Sequence, residues 1–72
     1  MLRFDVYGRA VGVERDGDDW RVVYLGTEGK HRPADDIFLP PTLEEEDLLS
    51  YLADLCHEWA SPDHPEVRLL SS

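Results

Sequence analysis

Apolar and polar residues alternate along the first part of the chain. Leu2, Phe4 and Val6 are interleaved with Arg3, Asp5 and Tyr7, the period of two expected of a strand buried on one face. The alternation resumes with Val11 and Val13 against Ala10, Gly12 and Glu14, but the apolar positions pass from even to odd across Tyr7-Gly8-Arg9. Either Gly8 sits in a bulge within one long bent strand, or Gly8-Arg9 form a tight turn between two strands. Asp16-Gly17-Asp18-Asp19 predicts a hairpin turn in which glycine supplies positive φ at low cost. Trp20 to Leu25 follows, rich in aromatic and β-branched residues. Trp20, Val22 and Tyr24 fall on one face and Arg21, Val23 and Leu25 on the other. Apolar groups on both faces predict an interior strand.

Gly26 to Gly29 marks the next turn. Lys30-His31-Arg32 then pairs briefly until Pro33 removes a backbone donor. Ile37-Phe38-Leu39, ended by Pro40-Pro41, reads either as a last short edge strand or as an extended strap across the core. Beyond the prolines the period changes to that of a helix. Thr42 is placed to cap it, with Glu45 three residues later completing a capping box. At about 100° per residue, Leu48, Leu49, Leu52, Leu55, Cys56 and Trp59 fall within an arc of roughly 120°, a stripe suited to packing on a sheet. Asp47, Ser50, Asp54, His57 and Glu58 face away from it. Ser61-Pro62 and Pro65 predict a stop near Ala60. Residues after His64 are expected to fray, with Val67, Leu69 and Leu70 able to add a short extended segment.

These elements predict one α+β domain over residues 1–72. It comprises a three- or four-stranded antiparallel β-meander within residues 1–39, one C-terminal amphipathic helix over about 43–60 packed on one face, and a tail over 61–72. One helix cannot shield both faces of a sheet. The face left over carries apolar groups, which makes self-association as a homodimer an expectation.

Composition refines this picture. Seventy-two residues support a single small core. With 42% hydrophobic residues and two tryptophans the chain is too apolar to be disordered. Cys56 is the single cysteine, so no disulfide forms within the chain. The lone thiol, and the lack of an apolar signal segment after Met1-Leu2-Arg3, point to the cytoplasm. No apolar run approaches the ~20 residues of a bilayer-spanning helix.

Charge is the most uneven property. The net charge is -9, and six of the sixteen acidic side chains lie between Glu44 and Glu58, a stretch without Lys or Arg. Glu44 to Asp47 sit where the positive end of a helix dipole favours anions, so part of this acidity has a local structural cause. The rest has no cation at i+3 or i+4 to offset it. Residues 1–32 are electrically balanced, and some of Arg3, Arg9, Arg15 and Arg21 are placed to reach the helix. A sequence pI near 4.5 argues against nucleic acid and against an anionic membrane surface as partners, because both demand clustered basic residues. A protein partner with a basic surface fits better. Glu44, Glu45, Asp47, Asp54 and Glu58 are the candidate interaction residues.

Catalytic, cofactor and metal sites are not indicated. Cys56, His57, Asp63 and His64 are the one cluster of metal-ligand types. Cys56 lies on the apolar stripe, however, and His57 points about 100° away from it. A closed zinc site needs four ligands at recognisable spacing, which only His31 remains to complete. A nucleophilic cysteine needs an electropositive, partly exposed setting, whereas Cys56 has Asp54 and Glu58 nearby. Asp35-Asp36 and Glu44 to Asp47 lack the glycine-turn spacing of a calcium loop. Trp20 and Trp59 read as core anchors.

Three segments carry a resemblance. They are Phe4-Asp5-Val6-Tyr7-Gly8-Arg9, then Tyr24-Leu25-Gly26 through Gly29-Lys30-His31-Arg32-Pro33-Ala34-Asp35-Asp36-Ile37, and Tyr51-Leu52-Ala53-Asp54-Leu55-Cys56-His57-Glu58-Trp59-Ala60-Ser61-Pro62. Together they resemble a small bacterial family of uncharacterised single-domain proteins over nearly the whole chain. The resemblance implies a bacterial cytoplasmic setting and one compact domain, and brings no activity, cofactor or functional residue with it. The functional expectation is therefore a small acidic cytoplasmic protein that is not an enzyme and acts as a protein-binding or regulatory module. The alternative is an accessory subunit or a small metal- or thiol-dependent enzyme component.

Overall fold

The computed structural model describes residues 1–26 and 29–71. Strands β1 (Leu2–Val6), β2 (Arg9–Asp16), β3 (Asp19–Leu25) and β4 (His31–Pro33) form an antiparallel meander. A helix α1 (Leu48–Leu55) follows, and then a fifth strand, β5 (Val67–Ser71). The sheet order is β4-β3-β2-β1-β5. The chain thus leaves one edge of the sheet, crosses a face as α1, and returns antiparallel to β1 at the other edge. The α+β class and the helix on one face are as expected. The strand count is five, because the segment expected to fray completes the sheet.

Two-residue loops explain the parity change. The first turn is Tyr7-Gly8, with Val6 paired to Arg9. Such a loop pairs even positions with odd ones, so Phe4 shares a face with Val11, and the even side chains of β1 with the odd ones of β2. Gly17-Asp18 repeats the operation, setting Val13 against Val22 and Val11 against Tyr24. Neither a Gly8 bulge nor a Gly8-Arg9 turn is present. Tyr7 has φ 50° and Gly8 φ 91°, the positive pair of a type I′ turn that matches strand twist. The Asp5 side chain accepts the Gly8 N–H at 2.7 Å. Tyr7, expected on the polar face, is instead buried, and its hydroxyl donates to the Ala53 carbonyl at 2.9 Å. That long-range anchor offsets the cost of left-handed backbone at a non-glycine residue.

The core lies between the sheet and α1. Phe4, Val6, Val11, Val13 and Val22 from the strands meet Leu48, Leu52 and Cys56 from the helix side, with Ala34, Ile37, Leu39 and Val67 closing the sides. Ile37 and Leu39 are buried in a segment that is not a strand, so it is the strap of the two alternatives and β4 is the edge strand. The strap is pinned at its end. Trp20 Nε1 donates to the Leu43 carbonyl at 2.9 Å, and Arg15 donates to the Pro41 and Leu43 carbonyls at 3.1 and 3.2 Å. The Arg15 guanidinium lies 3.9 Å over the Trp20 ring.

The helix is shorter than expected. A 3-10 turn over Glu45–Asp47 precedes α1, another over His57–Trp59 follows it, and Ala60 is extended. No side-chain cap forms at Glu44 or Asp47, and Thr42 lies in the preceding turn, so the capping box is absent. Leu48, Leu52 and Cys56, four residues apart, form the buried line. Leu49 and Leu55, about 60° to either side of its centre, are 40% and 42% exposed.

The sheet face away from α1 carries Val23 and Leu25, with Met1 folded over Gly12. A Cβ at Gly12 would lie 2.5 Å from the Met1 sulfur and 3.1–3.2 Å from Leu25 and Val23, so glycine is what lets these three close together. Val23 is consequently buried, and the Glu14–Arg21 ion pair at 3.8 Å borders the cluster. The apolar patch on this face is therefore smaller than the alternation suggests.

Candidate functional site

The five acidic residues singled out by sequence are all exposed, but they occupy three places. Glu44, Glu45 and Asp47 stand at the 3-10 turn before α1. Asp54 lies in the last turn of the helix, on the side away from Leu52. Glu58 lies in the 3-10 turn after it. Among the described residues, ion pairs join only Glu14 to Arg21 and Glu66 to Arg68, and none reaches these carboxylates. Three of the four arginines placed to neutralise them are committed elsewhere, and the fourth, Arg3, alternates with the buried Phe4 and so stands on the sheet face away from α1. Arg9 lies 4.0 Å over Trp59, Arg15 holds the strap and Trp20, and Arg21 faces Glu14 on the far side of the sheet.

Glu45 and Glu46 border a groove of about 350 Å³ lined by Leu2, Phe4, Leu49 and Leu69. It runs between the start of α1 and the outer strand β5. Periodicity places Leu49 on the buried stripe, and Leu69 in a tail that either frays or adds a short extended segment. Neither assignment anticipates an apolar groove beside the carboxylates. The available signal was the alternation of Val67 and Leu69 with Arg68, which places Leu69 on the same face as Val67.

A second concavity, about 480 Å³, opens at the β4 side and is lined by Arg9, Ala10, Tyr24, Leu25, Arg32 and Asp36. The Tyr24 hydroxyl donates to the Asp36 carboxylate, 2.7 and 2.8 Å from its two oxygens. The Tyr24 and Trp59 rings are tilted together at 6.4 Å. This group ties β3 to the loop after β4 and β2 to the end of the helical segment. Burial, then the hydrogen bond to Asp36 and its charge, push the Tyr24 hydroxyl from 10.0 up to about 12, with Arg9 opposing. The folded state holds this proton more tightly than the unfolded chain does. The stability it contributes is therefore complete below pH 10 and drains away as pH rises towards about 12. Alkaline melting curves should show the parent losing stability in that window and Tyr24→Phe losing less. Parallel curves would show that the fold does not hold the Tyr24 proton above its ordinary range.

Cys56 is buried on the helix line, while His64 packs its ring over Gly8 and His57 is exposed, so the Cys56, His57, Asp63 and His64 cluster is dispersed. Among the described residues no three His, Cys, Asp or Glu side chains converge as metal ligands would. Burial, followed by the Asp36 charge, raises the Cys56 thiol above its ordinary value, against a smaller opposite pull from Arg9. A thiol reagent should label native Cys56 far more slowly than the denatured chain. Equal rates would place the thiol at the surface.

Against this geometry, comparison with known proteins gives one match. The family described as Domain of unknown function (DUF7661) matches residues 1–71. The chain belongs to that family. The match takes in all five strands, the helix and both concavities, so these features lie within the family's domain. No curated protein and no solved structure matches the chain. Among the described residues no helix is long and apolar enough to cross a membrane.

Proposed function

We propose that this member of the family is a non-catalytic protein-binding or regulatory module of the cytoplasm, which meets a basic protein surface through Glu44, Glu45, Asp47, Asp54 and Glu58. The observation that carries the reading is that none of these exposed carboxylates has a cationic partner among the described residues, while Arg9, Arg15 and Arg21 are engaged in other contacts. Uncompensated like charge concentrated along the helical segment opposes compactness, and a basic partner relieves it. The raised Tyr24 hydroxyl and the buried, raised Cys56 thiol are both poorly placed for acid–base or nucleophilic work at neutral pH, which favours binding over chemistry. The single unpaired thiol suits a reducing compartment.

The test is affinity capture of the tagged protein from its native lysate beside a variant carrying Glu44→Gln, Glu45→Gln, Asp47→Asn, Asp54→Asn and Glu58→Gln. The expected result is a specific partner held by the parent, released as salt rises past physiological strength, and lost from a variant whose circular dichroism is unchanged. Screening over about 8 Å at that strength is what makes salt diagnostic. Retention of the same partners by both proteins, or salt-insensitive capture, would overturn the reading.

A further inference from the structure

The two edges of the sheet are not alike. At one edge β4 is three residues long and ends in Pro33, which offers no N–H, with His31 and Arg32 exposed beside it. These are the usual means of keeping an edge from pairing. At the other edge β5 runs five residues, Val67–Ser71, without proline; among the described residues it pairs only with β1, in unbroken register from Val67 to Leu69, with Arg68 exposed on it and a register shift at Leu70. Leu69 and Leu70 on it are 53% and 57% exposed. Its regular part, Val67–Leu69, leaves outward backbone groups unpaired and open to another strand, whereas the other edge has no comparable stretch free of proline.

We propose that β5 is completed by a strand from the partner. That strand would be an extended segment carrying apolar and basic side chains on the face it shares with Leu69. A strand laid against β5 sits about 4.8 Å away and continues its pleat. Its alternate side chains then hang over the groove formed by Leu2, Phe4, Leu49 and Leu69 and meet the carboxylates of Glu45 and Glu46 on the rim. Backbone hydrogen bonds supply attachment, the groove selects apolar groups, and the rim selects Lys or Arg. A second copy of this chain is a poor occupant. Pairing β5 with β5 brings two sets of Glu45 and Glu46 to one seam between molecules that each carry -9. The proposal rests on the acidic-binding reading and specifies how that surface is used.

The probe is a synthetic eight-residue peptide with two valines and two lysines on one face and threonines on the other. It is compared with the same peptide N-methylated along its backbone and with one carrying glutamate for lysine. At low salt the first peptide should bind saturably and slow amide hydrogen exchange across Val67–Ser71. The N-methylated peptide, which keeps every side chain but loses its donors, should bind about tenfold or more weakly, since a few hydrogen bonds are worth that much. The glutamate peptide should not bind. Unchanged exchange at residues 67–71 in the complex, or equal affinity of the methylated peptide, would overturn strand addition while leaving the carboxylates as a binding surface. Absence of binding by the lysine peptide would overturn it as well. Failure of the wider reading would show separately, as partners indifferent to the charge variant.

Discussion

Replacing Leu52 by alanine is expected to remove on the order of 2–4 kcal/mol of stability, measured as a shift in the urea midpoint at unchanged slope. Leu52 is fully buried at the centre of the line through Leu48 and Cys56, facing strands whose side chains come from both sides of the Tyr7-Gly8 turn. Deleting its methyl groups leaves a cavity that the twisted sheet cannot readily fill. A domain of this size holds roughly 4–11 kcal/mol in all, at ~0.05–0.15 kcal/mol per residue, so the loss is a large share. Leu49→Ala is the internal comparison. At 40% exposed and on the flank of the line, Leu49 should cost less than about 1 kcal/mol. Similar midpoints for the two variants would mean that the helix is rotated from the orientation described.

Ending the chain at Glu66 should cost several kcal/mol and leave a domain that melts broadly or not at all at moderate temperature. Val67 is buried, and with Leu69 it packs beside Val6 and Phe4 across the β1–β5 ladder. Removing the strand forfeits about 1.5–3 kcal/mol for the valine, plus about 1 kcal/mol for each ladder hydrogen bond. It also opens the core from the β1 side, and β1 becomes an unprotected edge. Thermal melting followed by circular dichroism is the measurement. A truncated chain melting within a few degrees of the parent would show that β5 is an ornament on a complete four-stranded sheet.

The meander was legible in residue order because its information is local. Alternation marks the strands, Gly8 and Gly17 sit in their turns, and a two-residue loop converts even apolar positions to odd ones without any knowledge of the rest of the fold. The existence and direction of α1 follow from the change of period after Pro40-Pro41, and its buried line from spacing by four. The helix ends were less legible, since Thr42 and Glu45 spell a capping box. Arg15 and Trp20 hold residues 41–43 in the strap instead, and α-helix starts only at Leu48.

The candidate site divides in the same way. The acidic residues and their lack of neighbouring cations are read directly from the chain, because side chains three and four apart on a helix meet regardless of context. The groove is not, since Leu2, Leu49 and Leu69 come from three distant segments. Which of several apolar residues remains at the surface depends on how far the helix is rotated and which strand stands beside it. The fate of residues 67–71 shows the same limit. Their alternation is too short to distinguish a loose tail from a strand, and the choice is made by β1, whose free edge and adjacent apolar side chains can be satisfied only by a segment more than sixty residues away in the chain. Local order thus specifies the pieces and their faces, while the pairing of the sheet's two ends and the opening of the groove arise from long-range burial, which no window of neighbouring residues contains.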